Sequence, residues 1–111
     1  MDLYNELEKL QNKLNISVKQ LRKSGNNYAE AYTNYRIALA KELLRLKNNN
    51  TPATLCSDLA RGNIDVARKK FDEISNEAIY KANLESINSL KLQIRLVEKQ
   101  LEREYTNISN N

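Results

Sequence analysis

The side chains with the widest chemical reach in this sequence are its cations and its tyrosines. Lys41, Arg45, Lys47, Arg61, Arg68, Lys69 and Lys70 fall on both sides of a connection that contains the only proline. Lysine and arginine gathered in this way can hold phosphate oxygens. Asp58, Asp65, Asp72 and Glu73 lie among them, so ordinary salt-bridged helix ends are the competing explanation. Tyr28, Tyr32 and Tyr35 share one helical face, and Tyr80 is expected opposite them. Rings so placed can stack on bases or anchor a protein partner, with Arg36 beside them to assist. They can equally be seam residues, with buried ring bodies and hydroxyls at the edge. Exposure of the rings distinguishes these roles.

Bond-breaking chemistry finds no equipment here. The sequence has no histidine, so the commonest general base and metal ligand is missing. Cys56 is the single cysteine. Without histidine it makes neither a zinc site nor a Cys–His nucleophile, and it has no disulfide partner. Gly25 and Gly62 are isolated and build no phosphate-cradling loop. The expectation is a protein that is not an enzyme and takes no metal or cofactor.

The elements that must carry these residues are helices. Leu3, Leu7, Leu10, Leu14, Val18, Leu21, Gly25, Tyr28, Tyr32, Tyr35, Leu39, Leu43 and Leu46 recur every three or four residues. Asp2 is a candidate N-cap, and Asn48, Asn49 and Asn50 supply the stop. One helix over 2–47 follows. A break at Ser24–Asn27 is the alternative, because Gly25 is a poor helix former and Asn27 with Glu30 reads as a capping box. Thr51 as N-cap and Pro52 at the first helical position start a short helix over 52–61, which Gly62 closes. Asn63 caps a last helix over 64–106, and Asn107 to Asn111 are expected to fray. Its inward positions read as Ile64, Ala67, Phe71, Ile74 and Ala78, then Leu84, Ile87, Leu90, Ile94, Val97, Leu101 and Tyr105. Ile79 and Leu92 stand off that face, which widens it beyond what one neighbour covers.

The fold class is therefore all-α: a long antiparallel two-helix hairpin with a short connecting helix, in one domain over 1–111. Partners across the hairpin should have numbers summing to about 112, which pairs Tyr32 with Tyr80 and Leu14 with Val97. With 41% hydrophobic residues, few of them aromatic, a lone hairpin buries little. Self-association into a helical bundle is expected to complete the burial.

Net charge is +4, with nine Lys/Arg against five Asp/Glu in residues 1–50 and nine against nine thereafter. That balance permits contact with nucleic acid or an acidic protein without requiring it. No apolar run approaches a membrane span, and Met1–Glu6 carry no secretion signal, so the expected place is the cytoplasm of a bacterial host cell. The abundance of Asn, Lys and Ile fits AT-rich coding DNA.

Tyr28-Ala29-Glu30-Ala31-Tyr32, Pro52-Ala53-Thr54-Leu55, Asp58-Leu59-Ala60-Arg61-Gly62, Ala67-Arg68 and Tyr80-Lys81-Ala82 together carry a resemblance. Over residues 28–105 the chain resembles small helical proteins of unassigned activity from phages and prophages of Gram-positive bacteria. The resemblance implies a phage origin, often among replication and recombination functions, and no catalytic residues. Two functions follow as expectations. One is a non-enzymatic accessory of phage DNA replication or recombination, oligomeric, touching a phage or host protein and nucleic acid through phosphates. The other is an inhibitor of a bacterial defence system, such as an anti-CRISPR protein, bound to a host nuclease complex. A structural role in the virion stands beside these two.

Overall fold

The computed structural model describes residues 2–110. Three helices follow in order: α1 (Leu3–Asn48), α2 (Ala53–Gly62) and α3 (Ile64–Asn110). No strand occurs among the described residues, and no helix there is long and apolar enough to cross a membrane. The chain forms two compact units, one of residues 1–22 with 81–111 and one of residues 23–80. In each, a segment of α1 lies beside a segment of α3, so the all-α hairpin is the fold; α2 belongs to the second unit.

The helix ends follow from local hydrogen bonding. Asp2 caps α1, its Oδ1 accepting from the Tyr4 N–H at 2.9 Å. At the other end Asn50 is left-handed, with φ 62°. The Thr51 N–H reaches the Leu46 carbonyl and the Asn50 N–H that of Lys47, which is the Schellman pattern with asparagine in the glycine place. The short helix starts one residue later than its sequence suggests. Pro52 occupies the N-cap, no side chain caps it, and Thr51 stays outside. Gly62 does not close α2 by a positive φ; it is the last helical residue. The stop is Asn63, which is extended, with φ −61° and ψ 134°. Asn63 then caps α3, its Oδ1 accepting from Asp65 and Val66 at 2.9 and 3.2 Å. The helix continues past Thr106 to Asn110, so the expected fraying is not seen there; Asn111 lies outside the described residues.

Through Gly25 α1 is unbroken. A Cβ built there would lie 3.4 Å from Cε2 of Tyr80, an ordinary contact. Gly25→Ala should therefore stabilise the protein by roughly 0.5–1 kcal/mol through helix propensity alone. A urea midpoint that rises with unchanged slope is the expected readout, and a fall would mean that Tyr80 cannot accept the methyl group.

Register differs from the expectation. In the second unit, partner numbers sum to 105: Tyr28 with Glu77, Gly25 with Tyr80 and Tyr35 with Lys70. The expected value assumed that α3 begins level with the end of α1. Instead Leu46, on the last turns of α1, packs in a core with Ala60 of α2, Val66, Tyr35 and Leu39. Because α2 covers that end, α3 starts further back along α1. Tyr80 consequently meets Tyr28 rather than Tyr32.

The inward face of α3 also differs. Ile64, Phe71 and Ile74 are 69%, 70% and 56% exposed, and Ala67 and Ala78 are exposed as well. The inward positions are Val66 and Glu73, flanked by half-buried Lys69, Asn76, Glu77 and Tyr80. Stepping back from buried Ile87 by threes and fours reaches Tyr80, Glu73 and Val66. A helix without a slip holds that phase, which leaves the apolar row nearly half a turn away from the inward face. In the first unit the expected face is kept: Leu3, Leu10, Leu90 and Val97 form the core, with Leu7, Leu14, Ile94 and Leu101 packed on it. Tyr105 is 72% exposed, so the seam ends before it.

Candidate functional site

The four candidate tyrosines and the seven candidate cations all lie in the unit of residues 23–80. The four tyrosines divide by environment. Tyr35 is a core residue, 7% exposed, packed with Leu39, Leu46, Ala60 and Val66. Tyr28 and Tyr80 are half-buried, their ring centroids 6.0 Å apart and tilted by 36°. The Tyr28 hydroxyl donates to Oε2 of Glu77 at 3.2 Å, which satisfies its polar end. Tyr32 keeps 47% of its surface in water, because Ala31 takes the buried position beside it. Tyr28, Tyr32 and Tyr80, with Gly25 and Ala29, line an open and mostly apolar cleft of about 400 Å³. The missing side chain at Gly25 forms part of its floor. A planar or apolar group could lie against these rings.

The seven cations do not converge on one face. Lys41 and Lys47 are six residues apart on α1, about two-thirds of a turn out of phase, and both are exposed. Arg45 is spent locally: its Nη2 lies 2.6 Å from Oε1 of Glu42 one turn back. That hydrogen bond holds Glu42 below the usual carboxylate value and raises Arg45. Arg61 on α2 donates to the Ser57 hydroxyl at 2.6 Å and lines a cleft with Tyr35, Val66, Ala67 and Lys70. Lys69 turns to the opposite side, into a polar cleft with Asn27, Glu30, Asn34, Asp72 and Asn76. Arg68 points outward beside Phe71.

Lys70 has a structural job. Its Nζ lies 2.9 Å from Oε2 of Glu73 and 4.7 Å above the centroid of the Tyr35 ring. Glu73 is 6% exposed, so this is a carboxylate kept inside by one cation. The hydrogen bond to Glu73 is the main cause that raises the Lys70 pKa, ahead of the opposing desolvation. Any stability from that shift is complete below the ordinary lysine value and fades only as pH rises through the raised one. Sequence pattern alone missed Glu73 as an inward residue. The only sign was its spacing, Lys70 and Glu73 being three apart as helical ion pairs require.

Five cations, Lys41, Lys47, Arg61, Arg68 and Lys69, have no carboxylate within ion-pair distance among the described residues. Of the seven, they are the ones able to accept an external anion without breaking an ion pair in the chain. No family model, no curated protein and no solved structure matches this chain. Among the described residues no group of three or more His, Cys, Asp or Glu could hold a metal ion. Cys56 is half-buried, with Sγ 3.6 Å from the Thr51 carbonyl oxygen, at the margin of the core.

Exposed apolar side chains are the other feature of this unit. Beyond the α3 row they include Ile37 and Leu44 on α1 and Leu55 and Leu59 on α2, each about half exposed or more. Leu55 and Leu59 are one turn apart and share a face of α2, as do Ile37 and Leu44 on α1. Side chains of this size on ordered helices are what protein partners cover.

Proposed function

We propose that this protein is a non-enzymatic accessory of phage or prophage DNA replication or recombination, acting through helical protein contacts and Lys/Arg contacts to phosphates in the host cytoplasm. The carrying observation is the set of cations around the second unit with no carboxylate partner, alongside exposed apolar side chains on all three of its helices. Cations on several sides of one body favour backbone contact without base readout, because phosphates are met wherever the strand passes. Tyr32, with its ring half in water at the mouth of an apolar cleft, supports a preference for single strands.

Fluorescence anisotropy with labelled single- and double-stranded DNA at two salt concentrations tests this. Binding should be weak and independent of sequence. Its logarithm should fall with that of salt by about 0.9 for each phosphate contacted on duplex. Changing Lys41, Lys47, Arg61 and Lys69 together to Gln should remove most of it and leave the helical signal intact. Lys70 stays in place, since its loss would strand Glu73. Absence of binding at low salt overturns the nucleic-acid part. Recovery of a recombinase or single-strand-binding protein on the tagged chain would support the replication reading. A host nuclease complex would favour the defence inhibitor, for which the same exposed leucines and isoleucines would serve.

A further inference from the structure

The outward row of α3 has a pattern that its own chain does not use. Ile64, Ala67, Phe71, Ile74 and Ala78 are spaced three, four, three, four, which is a heptad seam over about 22 Å of helix. The second unit buries the opposite side of this helix, at Val66 and Glu73. The largest member of the row, Phe71, is the only phenylalanine in the sequence and is 70% exposed.

We propose that this row is the contact face of a homodimer, in which α3 of one copy lies antiparallel to α3 of the other with the two-fold axis beside Phe71. The row is self-complementary, as a two-fold interface demands of its patch. Reversal about Phe71 sets Ile64 against Ala78 and Ile74 against Ala67, large against small in both cases. The charges obey the same reversal. Arg68 and Asp72 lie on one flank of the row, one turn apart, and both are exposed. Neither has an ion-pair partner within the chain among the described residues. In the antiparallel pair each Arg68 comes opposite the Asp72 of the other copy, which gives two reciprocal ion pairs around one aromatic contact. An unrelated partner would have no reason to find an acid and a base arranged as their own mirror about the centre of the row. This interface goes beyond the proposed contacts with DNA and does not depend on them.

Sedimentation equilibrium of the full chain over a micromolar concentration range is the test. The wild type should show a monomer–dimer equilibrium. Phe71→Ser should be monomeric with an unchanged far-ultraviolet spectrum, since the ring takes no part in the core of its own chain. Arg68→Glu places two acids opposite each other at each end of the contact, and Asp72→Arg places two bases there. Each variant alone should dimerise at least about tenfold more weakly than the wild type. An equimolar mixture of the two should recover dimerisation, because both cross-pairs then become attractive. A wild type that stays monomeric, a dimer indifferent to Phe71→Ser, or a mixture no tighter than its components would each overturn the proposal. DNA binding is measured separately, so failure here leaves that reading standing, and the reverse holds too.

Discussion

Leu39→Asp and Ile87→Asp are each expected to remove roughly 4 kcal/mol or more of folding stability. Leu39 is 8% exposed in the core shared by α1, α2 and α3. Ile87 is 5% exposed in the other unit. Neither site offers a cation to a new carboxylate among its buried neighbours, so the charge must be neutralised or the packing opened. Domains of this size have about 5–15 kcal/mol in total, and either change uses much of that. The pair is more informative than either alone. The two sites lie in different units, yet α1 and α3 pass through both without interruption. Helix formation is cooperative along a chain. Both variants should therefore lower one common melting transition. Two separated transitions, with each substitution moving only its own, would show instead that the units unfold independently. Unchanged melting in both would mean that the buried faces are wrongly placed.

How legible this architecture was in the sequence depended on whether the inward positions are apolar. The seam of α1 could be read almost residue by residue, because leucines and tyrosines occupy it from Leu3 to Leu46. Tyr32 yields its place to Ala31, and Ser24 is buried beside half-buried Gly25. The first half of α3 misleads because its inward position is Glu73, while Phe71 and Ile74 face water. Periodicity assigns burial by polarity, so an acid held inside by Lys70 and Tyr35 is invisible to it. The register was beyond reach for a different reason. It depends on how α2 covers the last turns of α1, which is a packing choice rather than a pattern. Ends of helices were clearer where a side chain acts as the cap, at Asp2 and Asn63, than where backbone alone does, at Pro52 and Asn50. For the site, residue types suggested cations and rings. Only the fold separates Arg45 and Lys70, bound to Glu42 and Glu73, from the cations left for a ligand.

Tyr35→Ala is expected to cost about 3–5 kcal/mol, the range for losing a buried aromatic side chain. The ring fills the space between Leu39, Leu46, Ala60 and Val66, and Ala60, with no exposed surface, cannot move in to replace it. It also carries the Lys70 ammonium on its face, so its loss loosens the cation that compensates buried Glu73. Tyr35→Phe keeps the ring and should stay within about 0.5 kcal/mol of the wild type. Tyr32→Ala removes a half-exposed ring and should cost less than about 1 kcal/mol. On DNA the order should reverse. Tyr32→Ala should weaken single-strand binding at unchanged stability, whereas Tyr35→Phe should leave it alone. Urea unfolding and anisotropy on the same three proteins provide both readouts. A stable Tyr35→Ala would contradict the core described here. Single-strand binding that ignores Tyr32 would remove stacking from the proposed function and leave phosphate contact as its whole nucleic-acid component. The two rings lie three residues apart on one helix, and less than one turn separates a side chain that holds the fold from one free to meet a partner.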